Sequence, residues 1–208
     1  MQDMMNWAVI LLHVLIYNVC VGAVEQEPSR TNDYLIMKWG KWFTLLDFNH
    51  DGNLSMDDPT TFEAYYIAHG NLSDQQLKTM KNKMDKLWKT FVFTNKKEVS
   101  KEDFLSMLKQ RYESNTTALI GMMRVFPTDW CEAIDLNGDK FLSKDEFILN
   151  FVAETHNNIQ TDEKFFYMYH PINERVALDD VIESFVLFVT EPDEAKSDIV
   201  LNAIDSGL

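Results

Sequence analysis

The sequence predicts an all-α fold in which four helix–loop–helix units pair two by two into one compact body, and three observations predict it. Residues 47 to 58 and 135 to 146 are twelve-residue segments with oxygen-bearing side chains at the same positions, 1, 3, 5, 9 and 12. Apolar residues recur at helical spacing on both sides of each segment. Two further segments of the same length, 92 to 103 and 169 to 180, keep an apolar residue at position 8 and lack acids at positions 1, 3 and 5. Loops of this kind couple through a short β-bridge at position 8. Leu54 is therefore expected opposite Val99, and Leu142 opposite Val176.

Along the chain, Trp7 to Tyr17 is apolar apart from His13, and small residues Gly22 and Ala23 follow it. This pattern reads as a secretory signal peptide, residues 1–23, cleaved after Ala23. Its first six residues carry Asp3 and no Lys or Arg, so an uncleaved signal anchor is the alternative. A polar linker, 24–32, leads into an N-terminal pair of units, 33–113. The first helix of that pair carries Leu35, Trp39, Trp42, Phe43 and Leu46 on one face. Ser73 and Gln76 form a capping box for the helix whose apolar face is Leu77, Met80, Met84, Leu87, Trp88 and Phe91. A degenerate loop from Val92 to Asp103 follows, with Val92, Thr94 and Lys96 in place of acids. The C-terminal pair, 114–195, is expected to start a helix near Pro127 that carries Trp130 and Ile134 into the loop 135–146. Its last unit has Tyr169 and Pro171 at ligand positions of loop 169–180, so no metal is expected there. Residues 196–208 read as a C-terminal tail.

The two acid-bearing loops have the ligand order of an EF-hand calcium site. Calcium is a hard cation that takes six to eight oxygens, which a tight twelve-residue turn supplies locally. In the third unit the expected ligands are Asp135, Asn137, Asp139, the Phe141 carbonyl, Ser143 and Glu146. Lys140 stands at position 6, where glycine usually makes the sharp turn. In the first unit they are Asp47, Asn49, Asp51, the Asn53 carbonyl, Ser55 and Asp58. Gly52 is correct there, but Asp58 is one methylene short for two-oxygen chelation, which suits six-coordinate Mg²⁺ as well as Ca²⁺. Pro59 disfavours α geometry at Asp58, although the first turn of a helix accepts proline.

Residues 39 to 58, 97 to 109 and 127 to 151 together resemble the sarcoplasmic calcium-binding proteins of invertebrates. The resemblance covers most of the chain after the signal. It implies four EF-hands in a compact body, a degenerate second hand, a first loop ending in Asp, and a soluble Ca²⁺/Mg²⁺ buffer. Calexcitins and coelenterate photoproteins are similar in turn. A secretory start and a fourth loop without ligands depart from that family pattern.

A net charge of −14 without a basic stripe excludes nucleic acid as a partner. No nucleophile motif frames the Ser, His and acidic residues, so an enzyme is not expected. His50 and His156 read as surface residues. Cys131 remains alone once Cys20 leaves with the signal, so no internal disulfide is expected. Asn53, Asn71 and Asn115 begin glycosylation sequons. The expectation is a monomeric calcium buffer or carrier, secreted and free of the membrane after cleavage. The ER lumen is the alternative location, although the chain ends in Asp-Ser-Gly-Leu and not in a retention tetrapeptide. A calcium-dependent sensor that binds a partner, and a photoprotein-like binder of an apolar ligand, stay open. On the first reading the Met and aromatic stripes fill the core.

Overall fold

Two small antiparallel ribbons organise the molecule. In the computed structural model, which describes residues 31–93 and 96–208, β1 (Asn53–Leu54) pairs with β2 (Val99–Ser100), and β3 (Phe141–Ser143) with β4 (Arg175–Ala177). Their registers set Leu54 against Val99 and Leu142 against Val176, the expected position-8 pairs. The expected signal segment, the linker up to residue 30, and Thr94 of the second loop lie outside the described residues.

Helix α1 (Asp33–Leu46) starts where the Asn32 side chain accepts a hydrogen bond from the Leu35 amide at 2.9 Å. Its buried face includes Leu35, Trp39, Trp42, Phe43 and Leu46, the stripe read from the sequence. After β1 comes α2 (Asp57–His69), then α3 (Asp74–Leu87), which opens on the expected Ser73–Gln76 capping box with both arms made. The chain then widens into a π-helical turn, Trp88–Phe93, that buries Trp88, Phe91, Val92 and Phe93. The second loop was expected to open at Val92. Burial of this aromatic turn holds Val92 in helix, and the loop opens after Phe93.

Helix α4 (Lys101–Ser114) follows β2, capped by Ser100. Helix α5 (Thr116–Ile134) corrects the expected start near Pro127: it begins eleven residues earlier, with Pro127 in its interior. Asn115 caps it by accepting from the Ala118 amide at 2.9 Å, and Leu119, Met123 and Phe126 bury a stripe ahead of the proline. That burial outweighs the hydrogen bond a mid-helix proline removes. The C-terminal half continues with β3, α6 (Lys144–Ala153), α7 (Ile159–Met168), β4, α8 (Leu178–Thr190) and α9 (Ile199–Asp205).

The halves share one core: α2 packs on α6, α3 on α5, and α1 on α8. At the joint, the Trp42 ring meets Phe104, Phe126 and Phe185 edge-on, with centroids 5.1 to 5.4 Å away. Residues 196–208 form part of the body rather than a tail. Helix α9 buries Val200, Leu201 and Ala203. The wholly buried Lys38 of α1 donates to Asp198 Oδ2 at 3.1 Å and to the Glu191 carbonyl at 2.8 Å. Desolvation pulls its ammonium below the usual lysine range, against the opposing pull of Asp198. Among the described residues no helix is long and apolar enough to cross a membrane.

Candidate metal centre

The third loop hangs between α5 and α6. Helix α5 delivers Asp135 as its C-terminal cap, and Ser143 caps α6 with a full capping box closed by Glu146. Within the turn, the Asp135 carboxylate accepts from the amides of Gly138, Asp139 and Lys140 at 2.9, 3.2 and 3.0 Å. Asn137 Oδ1 accepts from the Asp139 amide at 2.8 Å, and Asp139 Oδ1 from the Phe141 amide at 2.9 Å. Glu146 reaches back across the loop, accepting from the Leu136 amide at 2.9 Å through Oε1 and from the Ser143 amide at 2.9 Å through Oε2. The expected ligands are thus folded around one turn by the loop's own amides. Each carboxylate oxygen has more than one acceptor site, so an amide bond leaves capacity for a cation.

The first loop repeats this wiring. Asp47 accepts from the amides of Asp51 and Gly52 at 3.1 and 3.0 Å, Asn49 from Asp51 at 3.0 Å, and Asp51 from Asn53 at 2.9 Å. Position 12 differs. Asp58 is wholly buried and accepts from the Asn49 amide at 3.3 Å and the Ser55 amide at 2.8 Å. Burial pushes its carboxyl up to about 6, with the nearby charges of Asp47 and Asp51 adding to the shift and the two amides opposing it. Pro59 sits in the first turn of α2, where its missing N–H costs no helical bond. No side chain caps α2: its cap residue is Met56 in helical geometry.

Both loops place positions 4 and 6 in the left-handed region. These are His50 (φ 57°) and Gly52 (φ 87°) in the first, Gly138 (φ 72°) and Lys140 (φ 68°) in the third. The strain expected at Lys140 is real, but the first loop carries its counterpart at His50. Each loop has one glycine for two left-handed positions, and the other residue costs roughly 1 kcal/mol.

Among the described residues no three His, Cys, Asp or Glu side chains converge into a ready cluster. The carboxylates rest on loop amides instead, and half of the expected ligands are Asn, Ser or backbone carbonyls. An all-oxygen set of this kind, three carboxylates among three neutral oxygens in each loop, fits a hard divalent cation and not a soft one. The second loop shows the opposite chemistry. Lys96 at its position 5 pairs with Asp103 at its position 12, 2.8 Å apart, so its own ammonium neutralises the remaining acid.

Sequence reasoning missed several neighbours of the third loop. Arg175, from β4, donates to Asp139 Oδ2 at 2.5 Å and lies over the Phe141 ring, 4.4 Å from its centroid. Gln76 of α3 donates to the Leu136 carbonyl at 2.8 Å, and Lys140 pairs with Glu132 at 2.8 Å. Position 7 of the paired loop lies across the ribbon, which is the one signal that pointed to Arg175. The histidines also have partners. His50 Nε2 is 3.1 Å from Thr155 Oγ1, and His156 bridges Asp162, at 2.5 Å, and the Gly207 carbonyl, at 3.0 Å.

Fold and loops together have the EF-hand architecture, four helix–loop–helix units in two bridged pairs. The chain is similar to the sarcoplasmic calcium-binding protein of Mizuhopecten yessoensis, with 29% identity over 176 residues that cover 84% of this chain and 99% of the relative. The resemblance read from the sequence therefore extends across both halves. No family model matches the chain. Among solved structures, the calcium-loaded apo coelenterazine-binding protein of Renilla muelleri superposes with a TM-score of 0.70 at 14% identity, covering 82% of this chain and 93% of that one. A Streptomyces coelicolor calcium-binding protein gives a TM-score of 0.56 at 15% identity, covering 76% and 99%. At these identities the two structures share the fold.

Proposed function

We propose that the protein reversibly binds calcium in its first and third loops and serves as a buffer or carrier, without catalysis. The observation that carries this reading is the shared wiring of the two acid-bearing loops. Both hold their position-1, -3 and -5 side chains on successive loop amides and bring position 12 back to the loop's entrance. The likeness to a sarcoplasmic calcium-binding protein over 84% of the chain supports it. The third loop, with Glu146 able to give both oxygens, is the calcium site. The first, ending in the shorter Asp58, takes Ca²⁺ or Mg²⁺. A buffer fits better than a sensor because the two halves pack helix on helix in one continuous core. The apolar run Trp7–Tyr17 supports a secretory route. Extracellular modules work with dissociation constants of about 10⁻⁴–10⁻³ M, which loops with these compromises meet.

Calorimetric titration with calcium tests the reading. Two binding events are expected. Glu146→Gln weakens one on the order of a hundredfold, as removal of a charged chelating ligand should, and Asp47→Ala removes the other. Two undiminished events in the double variant overturn the assignment.

A further inference from the structure

The aromatic stripes do not fill the core completely. A cavity of about 120 Å³ lies against the third loop's helices, walled by Trp42, Phe126, Trp130, Phe147, Phe165 and Phe185. Four polar side chains also line it: Asn150, Glu154, Tyr169 and Ser184. Three of them are satisfied within the wall. Asn150 accepts from Trp130 Nε1 at 2.9 Å and donates to Glu154 Oε1 at 2.6 Å, while Tyr169 and Ser184 join hydroxyls at 2.7 Å. Glu154 is half-buried and uses Oε1 for the Asn150 bond, which leaves Oε2 free of bonds to other described side chains. Burial raises the Glu154 carboxyl to about 8, with Asp162 adding and Asn150 opposing, so at neutral pH the group mostly carries its proton and can donate.

An apolar cavity of about 150 Å³ stays dry and takes benzene, so this one is the size of a single ring. No cation lines it to receive an anion, and an ammonium ligand would need Glu154 ionised against its burial. An imidazopyrazinone with its pendant rings is far larger than the space.

We propose that this cavity is a binding site for a small uncharged aromatic molecule with one ring and one hydroxyl, a simple phenol in chemical class, seated among the six rings with its hydroxyl against Glu154. The ring meets aromatic edges and faces, the arrangement rings prefer, together with aliphatic side chains such as Ile134, Leu142 and Val181. The hydroxyl pairs with Glu154 Oε2, the carboxyl oxygen that Asn150 does not use.

The test uses 4-methylphenol and toluene, which differ by the hydroxyl alone, as probes, titrated against the full chain by ligand-observed NMR and calorimetry, in EDTA and in excess calcium. Both are expected to bind in at least one metal state, 4-methylphenol about fivefold tighter, the worth of one hydrogen bond. Glu154→Leu is expected to keep toluene and lose the preference. Val181→Phe, which fills the cavity from α8, is expected to lose both. The proposal is overturned if the wild type binds neither probe up to the solubility limit, if the two bind equally, or if binding survives Val181→Phe in a folded variant. An imidazopyrazinone that binds where toluene does not overturns it as well. Phenol binding without any calcium binding refutes the calcium assignment and leaves the cavity site standing.

Discussion

Asp58 and Glu146 hold the same loop position and differ by one methylene, and that difference runs into the helix that follows each. Glu146 reaches the Leu136 amide at position 2 and closes a capping box with Ser143, so α6 starts at loop position 10. Asp58 reaches only the position-3 amide, of Asn49, makes half a box with Ser55, and leaves α2 to start one position later without a side-chain cap. The shorter acid is also the more deeply buried, at 0% exposure against 7% for Glu146. A position-12 residue in this fold therefore both closes the loop and starts the helix, and its length sets both.

Lengthening Asp58 is the strongest way to break that contrast. Asp58→Glu is expected to raise the calcium affinity of the first loop about tenfold and to lower its tolerance of magnesium, since a second carboxylate oxygen suits the larger ion. Competitive titration of Ca²⁺ against Mg²⁺ in a Glu146→Gln background reads this directly. An unchanged ratio of the two affinities would falsify the idea that chain length at position 12 separates the sites.

The left-handed positions offer a second comparison, in which the loops should behave alike. Lys140→Gly and His50→Gly each relieve one left-handed side chain, at φ 68° and 57°. Each is expected to stabilise the fold by up to about 1 kcal/mol, offset in part by the entropy glycine adds to the unfolded chain. Urea unfolding of the two variants should show gains of similar size. A gain at Lys140 alone would return the strain to the third loop.

The fold and the position of the two acid-bearing loops were legible because they rest on local periodicity. The position-8 bridges, the Ser73–Gln76 box and the α1 stripe follow from spacing within a dozen residues. What was missed depends on distant packing. Pro127 looked like a helix start because the stripe of Leu119, Met123 and Phe126 that carries α5 through it becomes visible only against α3 and α8. The tail looked free because Lys38 and Asp198, 160 residues apart, meet only in the folded body. The cavity depends on how rings from distant helices pack together, which no spacing records.

Acidity separates the loops next. Asp58 has its carboxyl raised to about 6, so between pH 7.5 and 5.5 its ionised fraction falls from nearly all to about a quarter. A divalent cation needs the ionised form. First-loop affinity is therefore expected to drop about fourfold over that range, measured in the Glu146→Gln background. The effect on folding has the opposite sign. A carboxyl raised in the folded state binds its proton more tightly there than in the unfolded chain, so protonating Asp58 stabilises the fold relative to neutral pH. Weaker binding without a loss of helix signal is the expected pair of results.

The smallest expected effect concerns the partner loop. The fourth unit has lost its ligands, yet it still acts on the third through Arg175. That guanidinium crosses the ribbon to Asp139 Oδ2 and lies on the Phe141 ring, while Asp139 Oδ1 holds the Phe141 amide. A cation binding at Asp139 must share that carboxylate with a fixed positive charge. Two like charges at one acid repel, and the repulsion at a half-exposed site is modest in water and salt. Arg175→Ala is therefore expected to raise third-loop calcium affinity about twofold, with the gain shrinking as ionic strength rises. Arg175→Lys separates charge from shape, because it keeps the positive charge and loses the planar contact with the ring. If lysine restores the weaker affinity, charge is the cause. If lysine behaves as alanine does, the ring contact positions Asp139, and the degenerate loop acts by packing.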